Sequence, residues 1–190
     1  MADQHLLAQI APLSDAAESA RKDAATAIFN AGTQLIAPIL RQWQAHSELA
    51  ACISSAGQPQ ITVGIAVKPE RFDAIRVANG TPPLADVPPD QDAKEFELAF
   101  PDGVRLDVLT SRAPLEAGAI ARYLTKFGEG IQQIEVNVTD VDRATQLLRN
   151  RFGVQPIYPS TRAGANHTRM NFFLVAIPVG GKLLIELVES

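Results

Sequence analysis

A row of polar side chains on alternate positions of one apolar segment is the first sign of chemistry in this sequence. In the segment 130–138, branched aliphatic residues alternate with three polar ones, namely Gln133, Glu135 and Asn137. Since successive side chains of a β-strand point to opposite faces, this strand would have an apolar back and a polar front. Amides and a carboxylate on one face predict a surface that binds a polar ligand or transfers a proton.

Two further carboxylates lie in segments that read as strands. Asp107 lies in the run 104–109, and Glu186 lies in the run 182–188 near the end of the sequence. If the fold brings these groups close to Glu135, their mutual repulsion would keep one of them ready to accept or release a proton near neutral pH. This hypothesis makes Glu135 and Glu186 the candidate catalytic residues.

A basic loop precedes the last two predicted strands. It covers residues 158–169 and carries three cationic or titratable side chains, Arg162, His167 and Arg169. On a chain with a formal net charge of -4, such a rim would suit a carboxylate, phosphate or acyl-CoA substrate. The alternative is an exposed loop with incidental charges, and the sequence leaves both open.

The elements that would position these side chains occur twice along the chain. The segment 60–67 alternates like 130–138, and each is followed by an amphipathic helical segment and by strands joined at a glycine turn. This pattern predicts an α+β fold of two βαβββ modules, at about 60–110 and 129–190. The turn-forming stretch 79–92 replaces most of the helix and second strand of the first module, which is therefore expected to be abbreviated.

The first part of the chain, residues 1–56, is predicted to be a helical extension. It is rich in alanine, and Gly32 suggests a break between two helices. Apolar side chains at helical spacing favour packing against the sheet or a partner subunit. The alternative is a lid that places Arg41 or Trp43 near a ligand.

Two motifs of the second module resemble a known family. The module opens with Gly-Glu-Gly-Ile, two polar residues and Ile at 128–134, and it closes with Leu-Ile-Glu-Leu-Val-Glu at 184–189. Together with the paired modules, they resemble the vicinal oxygen chelate superfamily, above all its methylmalonyl-CoA epimerases and more distantly glyoxalase I. The resemblance covers about residues 60–190. It implies that residues 57–190 form a glyoxalase-like domain with a curved, cup-shaped mixed sheet.

The resemblance also implies a metal centre in the cup, with one ligand from the first and last strand of each module. The corresponding positions here are Thr62, Asp107, Gln133 and Glu186. Epimerases carry a histidine at each first-strand position, and this chain has Thr62 and Gln133 there. The oxygen donors that remain suggest one divalent cation among Mg²⁺, Mn²⁺, Co²⁺, Ni²⁺ and Zn²⁺, and oxygen ligands suit the harder of these best. A cup without metal is the alternative. Gln60 shares a strand face with Thr62 and is, like Asn137, a candidate for contact with the substrate.

Two functions follow from these residues. The first is an isomerase, epimerase or lyase of the glyoxalase type, with Asp107, Gln133 and Glu186 holding the cation. The second is a metal-free protein that binds and sequesters a small molecule in the same cup. A carboxylate or an acyl-CoA is the expected ligand in either case.

Composition restricts the remaining possibilities. Among 190 residues, 46% are hydrophobic, which suffices for a packed core. The Lys and Arg residues are not clustered, which argues against nucleic acid as a partner. A single cysteine, Cys52, excludes an intramolecular disulfide. The chain shows no membrane-span or signal-peptide pattern, so a cytoplasmic protein is expected, either as a monomer or as a homodimer.

Overall fold

The computed structural model describes residues 8–53, 59–113, 118–178 and 180–190. After a 3₁₀ turn at Ala11–Ser14, the helices are α1 (Glu18–Gln44), α2 (Ser47–Ile53), α3 (Pro69–Ala78), α4 (Ala119–Phe127) and α5 (Val141–Phe152). The strands are β1 (Ile61–Ala66), β2 (Lys94–Ala99), β3 (Arg105–Thr110), β4 (Gly130–Asn137), β5 (Arg162–Ala163), β6 (Arg169–Ala176) and β7 (Lys182–Glu189). The predicted α+β class and the N-terminal helix are confirmed. In the described part of the chain, no helix is both long and apolar enough to span a membrane.

The chain divides into two compact units. One comprises the residues up to Gly32 together with Thr62–Gln132, and the other comprises Thr33–Ile61 together with Gln133–Ser190.

In the first unit the strand order is β2-β3-β1, with β2 antiparallel and β1 parallel to β3. One face of these strands is apolar and packs against helices α1 and α3. The core contains Val63 and Ile65 of β1, Ile28 of α1 and Phe72 of α3. Phe72 also meets Phe96 of β2 edge to face, with the ring centroids 4.8 Å apart. The alternation of β1 therefore buries its aliphatic face, as the sequence predicted.

Gly32 does not interrupt the N-terminal helix, so the predicted break at this residue is wrong. Helix α1 continues through it, and a Cβ atom at Gly32 would lie 2.5 Å from the Cγ2 atom of Val63. The glycine allows the helix and strand β1 to approach closely. This packing explains why a residue that usually weakens a helix lies inside α1. Trp43, a candidate lid residue, is 1% exposed and is therefore part of the packing.

The first module keeps its helix and lacks a strand. Within the described stretch 59–113, helix α3 covers ten residues, and no strand lies between it and β2. The prediction that the turn-rich stretch replaces most of the helix is therefore wrong, because the helix precedes that stretch. The helix ends at Ala78 with Asn79 as its C-cap and Gly80 at a φ of 78°, and the prolines that follow disfavour a strand.

In the second unit the strand order is β4-β7-β6-β5, with β4 parallel to β7 and the other neighbours antiparallel. Helix α5 packs on β6 and β7, and α2 packs on α5. Asp140 caps α5 by accepting a hydrogen bond from the Arg143 amide, and Gly153 ends the helix in the left-handed conformation at φ 65°. The face of the strands that points away from this helix carries the polar side chains.

Candidate functional site

The polar front predicted for β4 is present, and β7 extends it. Glu135 is directly opposite Glu186 in the parallel pair of β4 and β7, so both carboxylates point to the same face. Gln133 and Asn137 lie two positions on either side of Glu135 and share that face. Gln133 is buried, whereas the other three side chains are partly buried. Two carboxylates and two amides therefore form one continuous surface within the second unit.

Gln133 and Glu186 are joined by a direct hydrogen bond. The amide Nε2 of Gln133 donates to Oε2 of Glu186 at 2.7 Å. The reversed amide would place two acceptor oxygens at this distance, so the contact itself fixes the orientation of the amide. This partner holds the Glu186 carboxylate in place and leaves its negative charge uncompensated by Gln133.

The side chains implied as metal ligands do not fit such a centre as they are placed here. Gln133 directs an N–H group, which is no metal ligand, at the carboxylate that should share a cation with it. Among the residues that the structure describes, no group of three or more His, Cys, Asp or Glu side chains is placed to hold a metal ion. In the second unit, two of the implied metal ligands, Gln133 and Glu186, are therefore hydrogen-bonded to each other.

The other two implied ligands lie together in the first unit. Asp107 of β3 is opposite Gly64 of β1, and Thr62 precedes Gly64 by two positions, so Thr62 and Asp107 share one face. Thr62 is 2% exposed. On its other side, Asp107 is opposite Glu97 of β2. The Glu97 carboxylate forms an ion pair with Arg105 at 3.3 Å. This face therefore carries both acidic and basic groups.

Gln60 lies just before β1 and belongs to the second unit. Its side chain is exposed, and its backbone carbonyl accepts a hydrogen bond from the amide of Asn137 at 3.0 Å. The backbone of Gln60 thus supports the end of β4 where Asn137 is displayed.

The three residues predicted from the basic loop lie in different places. Arg162 of β5 is opposite Met170, and it therefore faces the same side as Phe172 and Glu186, which are opposite each other in β6 and β7. His167 is exposed in a 3₁₀ turn with a φ of 64°, a conformation that histidine adopts more readily than most side chains. Of the three, only Arg162 is placed on the face of Glu186 by its strand register.

Arg169 lies on the opposite face of β6, so it does not share a surface with Glu186. It is opposite Glu189 in β7 and contacts that carboxylate at 3.0 Å. It also pairs with Asp142 of α5. Hydrogen bonds from Thr161 and from Arg169 lower the pKa of Asp142. Arg169, Glu189 and Asp142 line an open depression of about 490 Å³ beside the start of α5. The predicted substrate role of Arg169 would thus belong to a separate surface.

Sequence reasoning missed two aromatic residues near Glu186. The ring centroids of Tyr158 and Phe172 are 6.2 Å apart, and Arg162 lies over the Tyr158 ring at 4.6 Å from its centroid. The alternation of β6 indicated that Phe172 and Phe173 point to opposite faces. Only the pairing of β6 with β7 shows which of them is next to Glu186.

Several solved structures resemble this chain. The methylmalonyl-CoA epimerase of Mycobacterium tuberculosis is 30% identical in sequence. The match covers 70% of this chain and 88% of that one, with a TM-score of 0.55. A variant of the Streptomyces coelicolor epimerase, in complex with 2-nitronate-propionyl-CoA, is 25% identical over 68% of this chain and 94% of its own, with a TM-score of 0.52. A hypothetical protein from Bacillus halodurans is also 25% identical, over 68% and 91%, with a TM-score of 0.54.

No protein-family model matches the chain, and no curated protein sequence does. The structural likeness nevertheless agrees with the motifs at 128–134 and 184–189 and with the paired modules. At 30% identity over most of the mycobacterial epimerase, the likeness goes beyond a shared fold. This chain therefore belongs to the vicinal oxygen chelate superfamily.

Proposed function

We propose that this chain binds an acyl-CoA on the polar face of β4 and β7, and that it does so without the metal centre expected of its superfamily. The observation that carries the proposal is the hydrogen bond between Gln133 and Glu186. In this hydrogen bond, the neutral amide of Gln133 is the partner of a carboxylate that would otherwise coordinate a cation. Both groups are held in a fixed geometry.

The chemistry of the face suits a ligand with several amide and carbonyl groups. Glu135 and Glu186 can accept hydrogen bonds from ligand N–H groups, and the amide of Asn137 can donate to a carbonyl oxygen. Polar groups that are partly shielded from water make stronger hydrogen bonds than exposed ones, and a few such groups suffice to orient a ligand. The thioester and pantetheine amides of an acyl-CoA offer matching partners.

The choice of an acyl-CoA is supported by the similar structures. The Streptomyces coelicolor epimerase was solved with 2-nitronate-propionyl-CoA, and another epimerase was solved with methylmalonyl-CoA and NH4+. A fold does not fix the reaction, so a chain that keeps the fold and changes part of the ligand set is expected to keep the class of ligand more readily than the reaction.

Calorimetric titration of propionyl-CoA in EDTA, and again in Mg²⁺ or Co²⁺, tests this function. We expect the same Kd in all three buffers. Glu186→Gln should weaken binding about tenfold, since it removes a charged acceptor. Glu70→Gln, on the exposed surface of α3, is the matched control and should bind like wild type. Binding that appears only with a divalent cation would contradict the proposal.

A second candidate is a proton-transferring isomerase, favoured by the opposed carboxylates of Glu135 and Glu186. Like charges directly opposite each other on neighbouring strands disfavour simultaneous ionisation, which is useful in a group that must take up and return a proton. The test is incorporation of solvent deuterium at the carbon between the carboxylate and thioester of methylmalonyl-CoA. We expect exchange that Glu135→Gln or Glu186→Gln abolishes. Absence of exchange in wild type would exclude the isomerase and leave binding as the function.

A further inference from the structure

We infer that Arg162 and Tyr158 form an anion-binding subsite that receives the phosphate end of the ligand. This inference rests on the proposed function, because it assigns a place to one end of the acyl-CoA. Arg162 lies over the Tyr158 ring at 4.6 Å, and the Tyr158 ring meets Phe172 edge to face at 6.2 Å. Phe172 is in turn opposite Glu186. A row of neighbouring side chains thus leads from the polar face of β4 and β7 to a guanidinium.

The row is held by a buried side chain. Asn171 is 0% exposed, and its amide joins both backbone groups of Tyr158. Its Oδ1 accepts from the Tyr158 amide at 3.3 Å, and its Nδ2 donates to the Tyr158 carbonyl at 3.2 Å. The amide of Ile157 also donates to the Phe172 carbonyl at 2.7 Å. Because the backbone of Tyr158 is fixed in this way, its ring offers Arg162 a defined platform.

The charge and geometry of Arg162 suit a phosphate. A guanidinium offers a planar fork of N–H groups from which a phosphate can accept two parallel hydrogen bonds, and an aromatic ring can support it from one side. Arg162 is exposed, so a ligand can reach it from solvent. A lysine would keep the charge and lose the planar fork.

The spacing fits a ligand that is held at both ends. Glu186 is on β7 and Arg162 is on β5, with β6 between them. Two strand spacings amount to about 10 Å, a span that the flexible arm between a thioester and the phosphates of an acyl-CoA can cover. The partly buried ring of Phe172 lies below the middle of this span. Apolar contact there would favour the methylene groups of the arm.

The test compares propionyl-CoA with S-propionyl-pantetheine, which has the same thioester and no phosphate. In calorimetric titrations, Arg162→Ala should weaken the binding of propionyl-CoA about tenfold and leave that of propionyl-pantetheine unchanged. Arg162→Lys should give an intermediate loss. Tyr158→Leu, which removes the platform, should also weaken propionyl-CoA selectively. Arg149→Ala removes an exposed arginine of α5 and should change neither Kd.

The outcomes separate this inference from the proposed function. If wild type binds both ligands and Arg162→Ala weakens both or neither, the subsite is overturned and acyl-thioester binding stands. If wild type binds neither ligand, the proposed function is overturned, and the subsite with it. Circular dichroism of each variant distinguishes a lost contact from a lost fold.

Discussion

A single amide alters the chemistry available to the neighbouring carboxylate in this chain. A histidine at position 133 would offer a nitrogen lone pair to a cation, whereas Gln133 donates an N–H group to Glu186. The carboxylate then remains an acceptor with a fixed orientation. Asn171 has an equivalent effect on Tyr158, since a buried amide fixes the backbone that carries an aromatic ring. In both places a neutral side chain sets the position of a group that can contact a ligand.

The carboxyl group of Glu95 leads to a prediction of how the stability of the protein depends on pH. It lies in β2 opposite Leu109, and burial raises the pKa of its carboxyl from 4.5 to about 6. Between these pH values the folded state binds more protons than the unfolded state. The free energy of unfolding should therefore fall as pH rises from 4.5 to above 6, by about 2 kcal/mol from this group.

Glu95→Gln should remove this loss. The variant is expected to be more stable than wild type by up to about 2 kcal/mol at pH 7.5 and equally stable at pH 4. Urea unfolding of both proteins at pH 4, 5, 6 and 7.5 measures the difference directly. A difference that stays constant over this range would mean that the Glu95 carboxyl is not the source.

Among the elements, the junction between α4 and β4 shows what two residues of the motif at 128–134, Gly128 and Glu129, do in the structure. Gly128 has a φ of 78°, which turns the chain after α4. The carboxylate of Glu129 then accepts the backbone amide of Lys68 at 3.0 Å and the Nε of Arg71 at 2.9 Å. Lys68 is the N-cap of α3 and gives no side-chain cap, and this distant carboxylate accepts from its backbone amide as the glutamate of a capping box would. Glu129 of the motif at 128–134 therefore has a structural role within the first unit.

Alternation predicted the strands well, and it could not predict their neighbours. The apolar positions of β4 identified its more buried face, and those of β1 identified the face that packs on α1 and α3, since period-two patterns depend only on local sequence. The other face of β1 is buried as well, which the alternation did not predict. The placement of Arg169 behind the sheet, and of Phe172 beside Glu186, depends on which strands pair and in what register. The prediction of a helix break at Gly32 is wrong for a similar reason. The role of this glycine depends on Val63, which lies on another element.

At the scale of the whole molecule, the fold of the superfamily has been kept while part of its implied ligand set has changed. The two modules carry Thr62 and Gln133 at the positions where the resemblance expects histidine. A fold of this kind tolerates such changes because its core is built from hydrophobic side chains, and Thr62 and Gln133 are not among them. What the chain does thus depends on the site and is not fixed by membership of the superfamily.

This view predicts how the molecule responds to metal. A ligand that binds only the folded state raises the thermal midpoint of unfolding. Saturating Co²⁺ or Zn²⁺ should therefore leave the Tm of wild type unchanged, and so should EDTA. Gln133→His restores a nitrogen donor next to Glu186, and the Tm of this variant should rise with Zn²⁺, because imidazole and carboxylate are both zinc ligands.

Gln133→Leu, which is similar in volume and offers no donor, is the matched control and should not respond to either ion. The measurement is a thermal melt followed by circular dichroism at several metal concentrations. A clear rise in the Tm of wild type, lost in Glu186→Ala, would show that the amide does not prevent coordination. The metal-dependent isomerase of the sequence analysis would then replace metal-free binding, because a donor–acceptor pair that yields to a cation would no longer distinguish this chain from the epimerases it resembles.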